Sequence, residues 1–167
     1  MITVTGLHHI TAIAGDPQEN LDFYTTVLGM RLVKRSINQD VPDTYHLFFA
    51  DGSGNPGTDL TFFPWPDLGP KRRGTGSWDE VYRTIPNGSL TYWENRLGEA
   101  AVEITDIEER FGESVLPFSD PHGLNIALVE SETYDGQPFD PWTDSPVPAQ
   151  HQIRGLGGAR LIERDVT

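Results

Sequence analysis

Leu21-Asp22-Phe23-Tyr24-Thr25-Thr26-Val27-Leu28-Gly29 and Leu90-Thr91-Tyr92-Trp93-Glu94-Asn95-Arg96-Leu97-Gly98 are the stretches on which the fold turns. Leu21, Tyr24, Leu28 and Gly29 recur as Leu90, Trp93, Leu97 and Gly98, all at one offset of 69 positions. Four matches at a single offset mark a duplicated module. In both stretches the apolar residues share one stripe of a helix. The first helix has clear punctuation: Asp16 caps it, Pro17 takes its first position, Glu19 lies three residues after the cap and Gly29 closes it. The second is expected over 87–97, ended by Gly98.

Outward from these helices the chain reads as strands. Ile2 to Ala14 alternates with Leu7, His9, Thr11 and Ile13 on one face and His8, Ile10 and Ala12 on the other. Runs at 31–37, 44–50 and 58–64 follow, the last two joined by the Gly/Asn/Pro-rich turn 51–57, so the order is βαβββ. A second copy has strands at 78–85, 102–109, 114–119 and 124–130. Gly57 and Gly123 each precede the last strand of a copy. A shorter echo sets Gly155-Leu156-Gly157-Gly158-Ala159 against Gly6-Leu7-His8-His9-Ile10. The expected organisation is α+β: a first module over 1–66, a linker over 67–77, a second module over 78–132, a Pro-rich linker over 133–152, and the start of a truncated or degenerate third module over 153–167. A lone strand cannot bury its own face, so this tail either docks elsewhere or stays disordered.

The 167 residues hold 25 Asp plus Glu against 12 Lys plus Arg, a formal charge of -13, and no Cys. A disulfide framework, thiol nucleophile, Cys-ligated zinc site and iron–sulfur cluster are excluded. Nucleic acid and anionic membrane surfaces are not expected partners, because both require clustered cations. Only two Lys stand beside ten Arg, a balance that fits a protein kept hydrated in high salt. Neither an apolar run of about 18 residues nor a signal-peptide pattern is present, so a cytoplasmic protein is expected.

Any metal must therefore sit on His, carboxylate or water. His8-His9 is the leading candidate, since neighbouring strand residues point to opposite faces and only one can enter a concave sheet surface. One or two His with a carboxylate would suit Fe(II) or Mn(II), whereas the plainer alternative is a hydrogen-bonded structural His. His46 reads as a satisfied core or rim residue, His122 as solvated in a turn, and His151 as a linker residue without an obvious partner. Phe62, Phe63, Trp65 and Trp78 either wall an aromatic pocket or are plain core. Lys71-Arg72-Arg73 reads as a solvated loop, and the acidic run 103–109 as a half-exposed strand face.

Gly6-Leu7-His8-His9-Ile10-Thr11, Tyr45-His46-Leu47-Phe48-Phe49-Ala50-Asp51, Pro56-Gly57-Thr58, Ile85-Pro86-Asn87-Gly88-Ser89-Leu90 and Arg110-Phe111-Gly112 together resemble the N-terminal half of ring-cleaving dioxygenases of the vicinal oxygen chelate (glyoxalase/bleomycin-resistance/dioxygenase) superfamily. The hydroquinone dioxygenases are the most similar type. The resemblance implies paired βαβββ modules forming an open, cupped mixed-sheet barrel flanked by helices around a metal. It implies His9 as an Fe(II) ligand, Mn(II) being the alternative ion, with His8 and Thr11 lining the pocket. The implied partners are an aromatic substrate and dioxygen, and a homodimer or a second half to complete the assembly. The family completes its ligand set with a His and a Glu from the C-terminal half, which this chain mostly lacks. Thr61 and Ala127 stand where many superfamily members carry carboxylate ligands, and alignment of the helix starts puts Glu80 near the counterpart of His9. Two other readings stay open: a metal-free small-molecule-binding module, and a degenerate copy that pairs through sheet edges.

Overall fold

Asp16 acts as the cap its position predicts: its Oδ1 accepts from the N–H groups of Gln18 (2.8 Å) and Glu19 (2.9 Å), with Pro17 at the first helical position. The computed structural model describes residues 6–69, 74–131 and 138–165. The basic run Lys71-Arg72-Arg73 and part of the 133–152 segment lie outside the described residues. The first module runs β1 (His9–Ala14), α1 (Pro17–Asp22), β2 (Arg31–Ile37), β3 (Tyr45–Ala50) and β4 (Asp59–Pro64). The second runs β5 (Ser77–Ile85), α2 (Leu90–Glu99), β6 (Glu108–Arg110), β7 (Glu113–Ser119) and β8 (Asn125–Glu130), and β9 (Gly155–Ile162) follows. The α+β architecture of two βαβββ units is as expected.

Two open mixed sheets result, ordered β1-β4-β3-β2 and β6-β7-β8-β5-β9. In each module the first strand lies parallel to the last, which requires a crossover and sets the helix on one sheet face. Those helix-bearing faces meet in a single core: Ile10, Leu47, Phe49, Leu60 and Phe62 of the first sheet join Val81, Ile85, Leu116, Ile126 and Leu128 of the second through Tyr24, Trp93 and Leu97. Polar groups lock the join. The buried Tyr24 hydroxyl donates to Asp120 Oδ2 (2.9 Å), Arg83 Nη2 donates to the Thr58 carbonyl (2.8 Å), and Arg96 donates to the carbonyls of Val27 (2.7 Å) and Thr26 (2.6 Å).

Several local expectations are corrected. After Asp22 the first helix widens into a π turn over Phe23–Val27, ended by Gly29 at φ 66°. The second helix starts at Leu90, because Gly88 takes φ 77° and keeps Asn87 and Gly88 out of it; Gly98 lies inside the helix instead of ending it. Of the acidic run only 108–109 enters a strand, and Ile104 alone bridges to Phe118. His151 is not without partners: Ser89 Oγ lies 3.0 Å from its Nδ1 and Tyr92 stacks on its ring at 4.3 Å. His122 is packed instead of solvated, its ring so close to Gly15 that a Cβ there would lie 2.9 Å from Nδ1. The segment before β9 straps both modules, burying Val147 and Ile153. The tail strand itself docks: β9 runs antiparallel along β5, with Tyr82 opposite Gly158 and Glu80 opposite Arg160. Among the described residues no helix is long and apolar enough to cross a membrane.

Asp51 organises the turn between β3 and β4. Its carboxylate accepts from the N–H groups of Ser53, Gly54 and Asn55, the Asn55 amide, and the N–H of Asp140 in the strap. Burial acts to raise this carboxyl, but the hydrogen bonds from Asn55, Asp140 and Ser53 outweigh it and hold it below the ordinary range. A lowered folded value means that stability present above the ordinary carboxylate range is lost as pH falls through the folded value. Asp51→Ala is expected to cost at least about 2 kcal/mol in urea unfolding at pH 7, with a flatter acid limb in a pH series.

Candidate functional site

Strand alternation divides the first sheet cleanly. Ile10 and Ala14 of β1 are buried against α1, which turns His9, Thr11 and Ile13 to the opposite, open face. Ile13 is 53% exposed, as expected of an apolar side chain on a face left open among the described residues. Register then fills the open face: Asp59 lies beside His9, Thr61 beside Thr11 and Phe63 beside Ile13 on β4, while Phe48 of β3 pairs with Thr61 and Lys34 of β2 with Phe48. His46 belongs to the same face, its ring 4.0 Å from Phe48 and 4.2 Å from Phe63. Trp65 extends the aromatic wall, 5.8 Å from Phe63. Phe62 is wholly buried on the core face and Trp78 belongs to the second sheet, so of the four aromatics only Phe63 and Trp65 frame this surface.

His8 and His9 are both exposed and in contact, with their Nδ1 atoms 3.0 Å apart. Two imidazoles can share that hydrogen bond when one carries its proton on Nδ1 and the other does not. If His9 is the donor, its Nε2 lone pair faces outward and free. Thr11 joins a second set of contacts: Thr61 Oγ1 donates to Thr11 Oγ1 (2.8 Å), and His46 Nε2 lies 3.0 Å from Thr61 Oγ1. Burial holds the His46 imidazole below its ordinary range, with His9 and Lys34 as further positive neighbours.

Asp59 is the residue that sequence reasoning missed, whereas His46 is the satisfied rim residue that was expected, half-buried and bonded to Thr61. Asp59 carried no motif; its only signal was its place in the same strand as Thr61, and only the β1–β4 register sets it beside His9. Its Oδ1 is buried without a hydrogen-bond partner, and burial raises its pKa against the pull of His8 and His9.

Glu80 occupies the equivalent of His9. Both open a six-residue parallel pairing of first strand with last, His9 with Asp59 and Glu80 with Asn125, and Tyr82 and Ala127 stand where Thr11 and Thr61 do. Glu80 is buried and ion-paired to Arg110, with Arg160 Nη1 3.5 Å away. It lies on the open face of the other sheet, and both open faces turn away from the shared core, so His9 and Glu80 do not converge. Among the described residues no group of three or more His, Asp or Glu is placed to hold a metal ion. His9 fits as one donor of a metal site, and the remaining donors are not assembled by these residues.

Paired βαβββ modules are the architecture that this chain, with its histidine on the open face of the first strand, shares with known proteins. Residues 6–77 match the model of the Glyoxalase/Bleomycin resistance protein/Dioxygenase superfamily and form a domain of that superfamily. It is 47% identical over 94% of its length to the Bacillus subtilis protein named "Putative ring-cleaving dioxygenase MhqO", covering 49% of that protein. It is 39% identical over 92% of its length to the "Chlorohydroquinone/hydroquinone 1,2-dioxygenase" of Sphingobium indicum, covering 48% of it. A crystal structure described as a "putative dioxygenase" from Bacillus subtilis superposes with TM-score 0.83 at 46% identity, over 93% of this chain and 49% of that one. The chain thus spans about half the length of the curated relatives it matches.

The raised folded value of Asp59 means that its contribution to stability is present below the ordinary carboxylate range and is lost as pH rises through the folded value. Asp59→Asn is therefore expected to melt above the parent protein at pH 7, with the two melting temperatures converging toward pH 3. A neutral-pH melting temperature below the parent's would contradict this account of the carboxylate.

Proposed function

We propose that this chain supplies one half of the site of a metal-dependent dioxygenase that opens aromatic rings of the hydroquinone or catechol type. The observation that carries the reading is the open face of the first sheet, where His9, the Thr11 hydroxyl and the rings of Phe48, Phe63 and Trp65 share one surface. The names of the relatives support the same reading. Both atoms of dioxygen would enter the ring beside a hydroxyl group, with Fe(II) as the expected ion and Mn(II) as the alternative. When bound, such an ion supplies Lewis acidity and a template that brings phenolate and dioxygen together.

The chain's own residues have separate tasks on this reading. His9 presents Nε2 as a ligand while His8 accepts its Nδ1 proton, which settles the tautomer and ring orientation. Thr11 holds a substrate oxygen, and the aromatic wall excludes water and orients the ring by stacking. The remaining ligands come from a second half or a second chain that covers the open face. Such an assembly acts on small aromatic molecules, in the cytoplasm.

Mn(II), a paramagnetic probe, tests the ligand assignment on the chain itself. Titrated into 15N-labelled protein, it is expected to broaden the signals of His9 and Thr11 first, and His9→Ala is expected to abolish that pattern. Broadening centred on Glu80, or the same pattern in the His9 variant, would overturn the assignment. Anaerobic Fe(II) loading followed by oxygen uptake with hydroquinone then tests turnover in the completed assembly, where His9→Ala is expected to be inactive.

A further inference from the structure

We propose that His46 is a positioning residue for the site at His9: acting through Thr61, it turns the Thr11 hydroxyl into a hydrogen-bond donor aimed at a phenolate oxygen of the substrate. The inference rests on the ring-cleaving reading above and adds to it a residue and the ionisation state of the ligand that the surface recognises.

Three adjacent strands share one chain of hydrogen-bonding groups whose protons can be counted. His46 on β3, Thr61 on β4 and Thr11 on β1 lie side by side on the open face, linked at 3.0 and 2.8 Å. Thr61 is fully buried, so its hydroxyl has only these two neighbours to satisfy it. A hydroxyl has one proton to give, and in the arrangement proposed here Thr61 gives it to Thr11, 2.8 Å away. Its oxygen must then accept from His46, which requires the His46 proton on Nε2. Thr11 has in turn accepted from Thr61, and its own proton points away from the chain of hydroxyls. The atom it finds must be an acceptor, and a phenolate oxygen fills that role more strongly than the oxygen of a neutral phenol.

Reversal of the chain would have the opposite consequence. With the His46 proton on Nδ1, Nε2 would accept from Thr61, Thr61 from Thr11, and Thr11 would be left as an acceptor for a protonated phenol. The His46 tautomer therefore shifts the preference between two forms of the same ligand. The ring is well placed to hold one orientation, since Phe48 and Phe63 flank it at 4.0 and 4.2 Å with tilts of 38° and 36°. Thr11 lies two residues along β1 from His9, about 6.6 Å at strand rise, on the same face. That spacing lets one aromatic ring oxygen approach His9 while remaining within reach of the Thr11 hydroxyl.

Two measurements decide the proposal. Long-range 1H–15N correlation spectra of the intact 167-residue chain at neutral pH report the tautomer directly, and His46 is expected as Nε2–H; an Nδ1–H tautomer overturns the proposal. The second measurement uses 4-nitrophenol, whose visible absorbance distinguishes phenolate from phenol. Wild-type protein is expected to bind the phenolate preferentially, His46→Leu and Thr61→Val to weaken that binding about tenfold, and His46→Gln and Thr61→Ser, which keep a donor at each place, to restore most of it. Equal phenolate affinity in wild type and the folded His46→Leu variant overturns the positioning role while leaving the ring-cleaving reading intact. Failure of wild type to bind nitrophenol in either form removes the aromatic-ligand reading, and with it the target assigned to Thr11.

Discussion

Each sheet of this protein turns its helix-bearing face into one shared core. That constraint governs the rest of the structure. Tyr24 and Trp93, wholly buried at equivalent places in the two repeats, fill the space between the sheets, and the Tyr24 hydroxyl is satisfied by Asp120 across the join. A buried hydroxyl without such a partner would carry a desolvation penalty, so the join is specific as well as apolar. Because the helix-bearing faces are occupied by one another, the opposite faces of both sheets lie outside that core, with His9 on the first and Glu80 on the second.

The two open faces have diverged in character. On the first, His9, His46, Thr11 and Thr61 form hydrogen-bonded sets with spare capacity for a ligand, framed by aromatic rings. On the second, the equivalent of His9 is Glu80, held by Arg110 and flanked by Arg160 from β9, while Val115, Ala127 and Val129 cluster below Tyr82. A carboxylate whose charge is balanced by guanidinium groups in a buried setting is a structural ion pair first. The repeat thus supplies two equivalent surfaces, and different side chains at matching positions separate one with exposed imidazoles from a self-satisfied one. The docking of β9 along β5 reinforces that separation, since it covers the strand edge of the second sheet, whereas among the described residues no strand pairs with the outer edge of β1.

Much of the fold was legible in the chain. Asp16, Pro17 and Gly29 mark the first helix because capping and left-handed backbone are local requirements that few residue types meet. The shared offset of Leu21, Tyr24 and Leu28 with Leu90, Trp93 and Leu97 revealed the repeat because a duplicated core needs apolar residues at the same helix positions. The candidate site was legible only in part. His9 and Thr11 stood out by alternation on one strand, but Asp59 and His46 belong to the site through register with other strands. His151 and His122 carried no local sign of their partners, which come from α2 and from the backbone at Gly15.

The sequence by itself determined the two βαβββ units, the caps and turns between their elements, and the identity of the first-strand histidines, because each of these depends on spacing within a few residues. Tertiary structure alone decided which faces are buried together, that Glu80 meets Arg110 and not His9, and that His46 reaches Thr11 through Thr61. Those outcomes depend on how strands distant in sequence are registered and how the two sheets join, and no short-range pattern of residue types encodes the contacts between them.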